Sequence, residues 1–138
     1  MKSSFSTSWQ SSKQPRKQRK YNYNAPLHLK HKFLSAHLSK DLRKKHNKRS
    51  MPVRKGDEVL VMRGAFKKKK VKITSVDSRR TRVVLEGIQR QKKDGTKVNV
   101  YFHPSALQIT ALNLEDKKRT EVLDRKKPSS TKENKNHA

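Results

Sequence analysis

The chain has 138 residues and no cysteine; 30% of its residues are hydrophobic, and 37 Lys and Arg stand against 11 Asp and Glu, a formal charge of +26. That length holds one domain, the missing cysteine excludes disulfides and thiolate zinc sites, and a charge so large and one-signed opposes compaction unless a polyanion neutralises it. A membrane role is not expected: there is no run of about 18 apolar residues, no apolar leader and no long amphipathic face carrying Trp, Phe and Leu.

The charge is uneven. Residues 1–56 carry 16 basic residues and one acidic residue, Asp41. Residues 1–14 are rich in Ser, Gln and Thr and read as a flexible tail. Phe5 and Trp9 are unusual there: they are either incidental or pack on RNA or a neighbouring protein. Residues 15–55 read as a basic extension with short helices. It opens with Arg16, Lys17, Arg19 and Lys20 just ahead of Tyr21 and Tyr23, a pattern in which cations bind phosphates and rings stack on exposed bases. The competing reading is a solvated basic tail or a localisation signal. Ser39 is the expected N-cap of a short helix reaching about His46, with Asp41 in its first turn, where the helix dipole favours negative charge. Lys40, Arg43 and Lys44 crowd that helix and repel one another unless phosphates intervene.

From residue 56 to 112 the pattern changes to strands. Val59 and Val61 alternate within Asp57–Arg63, and Gly64 marks a turn. Val71–Val76 is a second strand, whose Ile73 and Val76 both face inward only if a bulge or sharp bend lies between them. Arg82–Ile88 is a third, with Val83 and Leu85 on one face. Thr96–Phe102 is a fourth, with Val98, Val100 and Phe102 alternating against Lys97, Asn99 and Tyr101. Asp94-Gly95 between the last two is a hairpin turn, because Gly supplies the positive φ. Leu107–Ala111 is a fifth, with Leu107 and Ile109 inward. Strands this short and numerous fit a small, strongly bent barrel better than a sandwich. The expected core is Val59, Val61, Ile73, Val83, Leu85, Val98, Val100, Phe102 and Ile109. A helix is expected from Glu115 to about Lys127, before Pro128, followed by a loose tail from Ser129 to Ala138. The predicted fold class is therefore mainly β: a small barrel flanked by a basic extension and a C-terminal helix.

The barrel segment resembles a KOW motif, the strand–loop–strand unit of small SH3-like barrels. It reads Gly56-Asp57-Glu58-Val59-Leu60-Val61-Met62-Arg63-Gly64, a basic loop, then Lys72-Ile73-Thr74-Ser75-Val76. Its flanks add Asn24-Ala25-Pro26, Leu38-Ser39-Lys40 with Leu42-Arg43, Arg49-Ser50-Met51-Pro52 with Arg54-Lys55, Asp94-Gly95-Thr96 and His103-Pro104-Ser105. Together, over roughly Arg16 to Lys127, they resemble the eukaryotic large-subunit ribosomal protein twenty-six family, counterpart of bacterial protein twenty-four. The resemblance implies a structural constituent of the large subunit that binds folded ribosomal RNA, including the 5.8S segment in eukaryotes. It implies early assembly, and hence a passage through the nucleus or nucleolus before the cytoplasmic ribosome. It also implies neighbouring ribosomal proteins as partners, a place near the nascent-peptide tunnel exit, and no homo-oligomer. The alternative is a transcription or chromatin factor using a KOW barrel, a class usually found in longer, less basic chains.

Catalysis and metal binding have little to stand on. His28 and His31 lack further ligands, and no phosphate-loop or nucleophile-elbow motif occurs. Asp57 and Glu58 are neighbours on a strand and so face opposite ways, which favours a structural or solubility role. Neither an enzyme nor a cofactor is expected. Candidate RNA contacts are the Arg16–Lys20 cluster with Tyr21 and Tyr23, the Lys67, Lys68, Lys69, Lys70 loop, and Arg49, Arg54 and Lys55 where the chain enters the barrel. Arg79 and Arg80 join them, although with Arg82 they also fit a merely decorated loop. Asn24, His28, Lys30, Lys32, Lys40, Arg43, Lys44, Ser50, Arg63, Lys72, Lys97 and His103 complete the set. The family usually has glycine at the positions of Lys68 and Val71, and often Lys where this chain has Ala106. The lysine loop is thus expected to act through charge, with Val71 at negative φ, the second strand starting there or one residue earlier, and its lysines turned away from the barrel.

Overall fold

A computed structural model of the chain describes residues 5–125. A 3-10 turn at Thr7–Trp9 leads to helices α1 (Pro15–Asn24) and α2 (Leu27–Phe33). Strand β1 (Ser35–Leu38), helix α3 (Lys40–His46) and strand β2 (Ser50–Pro52) follow. The five expected strands are β3 (Glu58–Val61), β4 (Lys70–Asp77), β5 (Arg82–Gln91), β6 (Lys97–Phe102) and β7 (Leu107–Ala111), and helix α4 is Lys117–Asp124. The seven strands form one sheet in the order β2-β1-β7-β3-β4-β5-β6. It curls in barrel fashion: Met51 on one outer strand and Phe102 on the other belong to the same buried cluster.

Local chemistry sets several boundaries. Ser39 caps α3, its hydroxyl accepting the Leu42 N–H at 3.3 Å, and Asn47 ends the helix at φ 49°, since Asn tolerates the left-handed region better than most residues. The bend required in β4 exists: its register with β5 shifts between Ile73 and Ser75. A larger shift lies in β5 between Val84 and Gln89, so the distal part of the β5–β6 hairpin leaves the barrel wall. Consequently Val98 is only half buried and outside the core, whereas Val100 packs against its edge. At the hairpin tip Gly95 has φ 83°, and Asp94 accepts the N–H and hydroxyl of Thr96 at 3.0 and 2.6 Å.

The main difference from expectation lies before residue 56. Leu34, Ala36, Leu38, Met51 and Val53 are buried in the same core as Val59, Val61, Ile73, Val83, Leu85, Leu107 and Ile109. β1 pairs antiparallel with β2 and parallel with β7, so this part of the basic extension is barrel wall. Each such side chain contributes roughly 1.5–3 kcal/mol of burial before entropy is counted, enough to order a short strand against a sheet already formed. The N-terminal tail also has structure: the Phe5 ring lies 5.1 Å from that of Tyr21, which lies 6.2 Å from that of Phe33. The helix expected to reach about Lys127 instead ends at Asp124, with extended backbone at Arg125, and the side chain of Trp9 and the tail Ser129–Ala138 lie outside the described residues.

α4 starts at Lys117, two residues later than expected, because Asp116 is its cap, accepting the Lys118 N–H at 2.9 Å. Its Leu123 reaches the core and its Arg119 is buried. The Arg119 guanidinium grips Asp57, which has no exposed surface, at 2.6 Å (Nη1–Oδ1) and 2.7 Å (Nη2–Oδ2). Asp57 also accepts the N–H groups of Arg54 at 2.8 Å and Asn113 at 2.9 Å. Removing one member of a buried ion pair strands the other charge and costs about 3–5 kcal/mol. Arg119→Met should therefore destabilise the protein by about that much in urea denaturation, while Lys118→Met on the exposed face should stay within about 0.5 kcal/mol. Equal effects of the two would refute the role given to the pair.

Candidate nucleic-acid interface

The carboxylates of this surface are largely committed to the protein itself. Asp57 is buried with Arg119 and Asp116 pairs with Arg54. Asp77 lies 3.9 Å from Arg80, and Glu58 lies 3.8 Å from Lys72. Thr96 holds the Asp94 carboxyl below its ordinary pKa, first through its hydroxyl and then through its N–H. Most of the basic side chains on the same surface have no acidic partner.

On α1, Arg16, Arg19, Lys20, Tyr23 and Asn24 are exposed and Lys17 is half buried. The two tyrosines separate: Tyr23 is 80% exposed, whereas Tyr21 is 8% exposed between Phe5 and Phe33. Tyr21 is thus a packing residue here and only Tyr23 presents a ring for stacking. On α2, His28 and Lys32 are exposed, while Lys30 donates to the Tyr23 carbonyl at 3.2 Å. On α3, Lys40 and Lys44 point to solvent and Arg43 Nε donates to the Leu38 carbonyl at 2.9 Å. Arg49, Ser50 and Lys55 are exposed at the barrel entrance. Arg54 stands with them, but its guanidinium is held by Asp116.

The β3–β4 loop keeps one of the two glycine-like positions. Lys68 has φ 72° and its N–H donates to the Val61 carbonyl at 2.8 Å. Val71 is not among the positive-φ residues, and β4 begins at Lys70, as the β-branched side chain requires. Lys67, Lys68 and Lys70 are exposed. Lys69 is a correction: its ammonium turns back, 5.3 Å from the centre of the Phe66 ring, and Phe66 in turn packs edge-on against Phe102 at 6.0 Å. Arg79 and Arg80 occupy the β4–β5 turn, Lys97 projects from β6, and His103 caps the 3-10 turn Pro104–Ala106.

The structure adds cations that the sequence does not single out. Arg90, Lys92 and Lys93 are all exposed around the β5–β6 hairpin, near Lys97. Their signal is the Asp94-Gly95 turn, which forces its neighbours onto a protruding tip. Arg82 begins β5, as the strand pattern predicts, rather than decorating a loop. Among the described residues no three or more His, Asp or Glu side chains gather to hold a metal, and no helix is long and apolar enough to cross a membrane.

Fold and surface together define a class: a small, strongly basic barrel with charged extensions, stabilised by internal carboxylates. The chain matches, over residues 12–126, the family of ribosomal proteins described as L26 in eukaryotes, with its L24-type members in archaea. It is similar to the large ribosomal subunit protein uL24 of Methanosphaera stadtmanae, with 49% identity over 115 residues, 83% of this chain and 98% of that protein. It is equally similar to uL24 of Korarchaeum cryptofilum, with 49% identity over 115 residues, 83% of this chain and 88% of that one. The chain belongs to this ribosomal protein family, as a structural constituent and not an enzyme.

The loop makes a stability prediction. A non-glycine residue at positive φ is strained by about 1–2 kcal/mol, and glycine relieves that while adding about 0.5–1 kcal/mol of unfolded-chain entropy. Lys68→Gly should therefore unfold within about 1 kcal/mol of the parent. Val71→Gly removes a strand side chain that packs on the core and should lose about 1–3 kcal/mol. Urea midpoints of the two variants give the comparison, and a Lys68→Gly variant as unstable as Val71→Gly would contradict it.

Proposed function

We propose that the chain binds folded ribosomal RNA of the large subunit and stabilises it during assembly, acting as a single copy. The observation that carries this reading is the predominantly basic surface. Several carboxylates cap a helix, close a turn or pair internally, while exposed Lys and Arg recur on α1, α3, the Lys67–Lys70 loop and the β5–β6 hairpin. Such a surface is electrostatically satisfied by phosphates, whose binding releases counterions. Family membership supports large-subunit ribosomal RNA as that polyanion. Contact with the 5.8S segment, a position near the nascent-peptide tunnel exit and a nucleolar stage of assembly rest on the family resemblance alone. In the division of labour we infer, residues 15–33 are the principal RNA-binding arm, and the barrel fixes the register of the remaining contacts.

If about ten cations each neutralise one phosphate, log affinity for large-subunit RNA falls with log salt at a slope of about −7 to −9. Deleting residues 1–20 should make the slope shallower by several units, and an unchanged slope would remove the N-terminal cluster from the interface. Tagged protein should sediment with the large subunit in a sucrose gradient. Sedimentation with polymerase or chromatin would overturn the reading.

A further inference from the structure

One cluster brings positive groups together with nothing to balance them. β5 and β6 pair antiparallel at Val83 and Phe102, so one residue further on Arg82 stands across from His103. Val83 and Phe102 face the core, and alternation therefore turns Arg82 and His103 outward together. β3 and β7 pair at Val61 and Leu107, which brings Arg63 beside Ser105, and Arg63 Nη2 donates to the Ser105 carbonyl at 2.9 Å. The other end of Ser105 holds the histidine, with His103 Nδ1 2.8 Å from the Ser105 hydroxyl and 3.2 Å from its N–H. Arg63 and His103 thus meet at one serine, and Arg82, whose Nη1 donates to the Thr81 carbonyl at 3.2 Å, lies near enough to act on the imidazole.

The remaining ionisable groups nearby do not neutralise them. β1, which packs on the Pro104–Ala106 turn, offers His37, whose Nδ1 is buried without a partner. β7 carries no ionisable residue. The carboxylate nearest in register is Asp77, across from Arg82 on β4, and it is engaged with the N–H and guanidinium of Arg80. Among the described residues no carboxylate forms an ion pair with Arg63, Arg82 or His103. Nearby positive charges disfavour a further one, and an anion seated among them reverses the sign.

We propose that Arg63, Arg82, His103 and the Ser105 hydroxyl form a clamp for one phosphate of the RNA backbone, and that His103 takes up a proton as the phosphate binds. The proposal rests on the RNA-binding reading and adds a defined, proton-linked subsite to it. In the free protein, partial burial and the charges of Arg82 and Arg63 hold His103 below its ordinary pKa, so it is neutral at pH 7 and Nδ1 is free to accept the Ser105 N–H. A bound phosphate offsets both arginines and accepts a hydrogen bond from Nε2, which favours the imidazolium. Nδ1 then donates to the Ser105 hydroxyl already beside it. The bound-state pKa lies above the free one, so affinity rises as pH falls through the bound-state value and levels off below the free value.

The test measures the affinity of the full chain for a short RNA hairpin at constant salt. Lowering the pH from about 7.5 to about 5.5 should strengthen wild-type binding by roughly tenfold more than His103→Gln binding, one pKa unit of linkage being one decade. The difference cancels the contribution of the other histidines. NMR titration supplies a second readout: the His103 pKa should rise when the hairpin is added, and Arg82→Gln should shrink that rise. A rise with inorganic phosphate alone would show that the clamp reads free phosphate as well as RNA backbone and would support the site. Salt-sensitive RNA binding with identical pH dependence in wild type and His103→Gln would overturn the clamp and leave the RNA-binding reading intact. Loss of all RNA binding at pH 7.5 would count against both.

Discussion

Asp57 has no contact with water, yet it accepts four hydrogen bonds from three separate stretches of chain. The Arg54 amide comes from the turn entering β3, the Asn113 amide from the segment leaving β7, and the guanidinium from α4. Arg119 uses its remaining reach on the carbonyls of Asn113 at 2.7 Å and Pro52 at 3.3 Å. Without the carboxylate, two amides and a buried cation would lose their partner in a low-dielectric site, where unmet polar groups are costly. The neighbouring glycine belongs to the same arrangement. Gly56 has φ 87°, so backbone conformation favours glycine at the turn that presents Asp57, and a Cβ there would also displace the Asn113 amide tip, whose Nδ2 would lie at 2.8 Å.

This junction explains how so basic a chain folds around a small core. Repulsion among the cations opposes compaction, and a short barrel has little apolar surface to offset it. The chain meets the difficulty by engaging carboxylates in local structure. Asp116 caps α4 and holds Arg54, Asp94 closes the hairpin tip, and Asp77 closes the β4–β5 turn by accepting the Arg80 N–H at 2.9 Å. Each sits where a local hydrogen bond is made, so its negative charge strengthens the fold. Exposed carboxylates such as Glu86 and Glu121 remain, but the exposed Lys and Arg outnumber them.

The parts of the fold legible in the sequence are those with a local cause. The cap at Ser39, the Asp94-Gly95 turn, the alternation at Val59 and Val61 and the bulge in β4 each follow from a few adjacent residues. β1 and β2 have alternation of their own, Leu34, Ala36 and Leu38, then Met51 and Val53, but it sits among lysines and histidines. Its meaning depends on β7, about seventy residues away, through a parallel pairing that no local pattern announces. Tyr21 is hidden for a similar reason: a tyrosine beside a basic cluster reads as a stacking residue until Phe5 and Phe33 are seen to enclose it. That Asp57 and Glu58 do not form a paired site is legible in the sequence, whereas the burial of Asp57 on Arg119 is not, because Arg119 is indistinguishable from its basic neighbours in sequence.

The same distinction separates two kinds of cation on this surface. Arg119, Arg54 and Lys69 have positions fixed by the protein, through Asp57, Asp116 and the Phe66 ring respectively, so they contribute positive potential but little freedom to follow a ligand. Lys67, Lys68 and Lys70 make no such contact and can adapt to whichever phosphates approach, at the entropic cost of ordering long side chains. The Arg63–Arg82–His103 cluster lies between these extremes. Its backbone is set by two strand pairings and Arg63 is aimed by the Ser105 carbonyl, so little conformational freedom remains to be lost when an anion arrives. Charge that is pre-placed and still unpaired binds with more geometric selectivity than charge on mobile stems. Mobile lysine stems suit a broad electrostatic attachment, and a rigid barrel edge suits a contact that fixes register. This chain carries both, and β1 and β2 join the extension to the barrel wall.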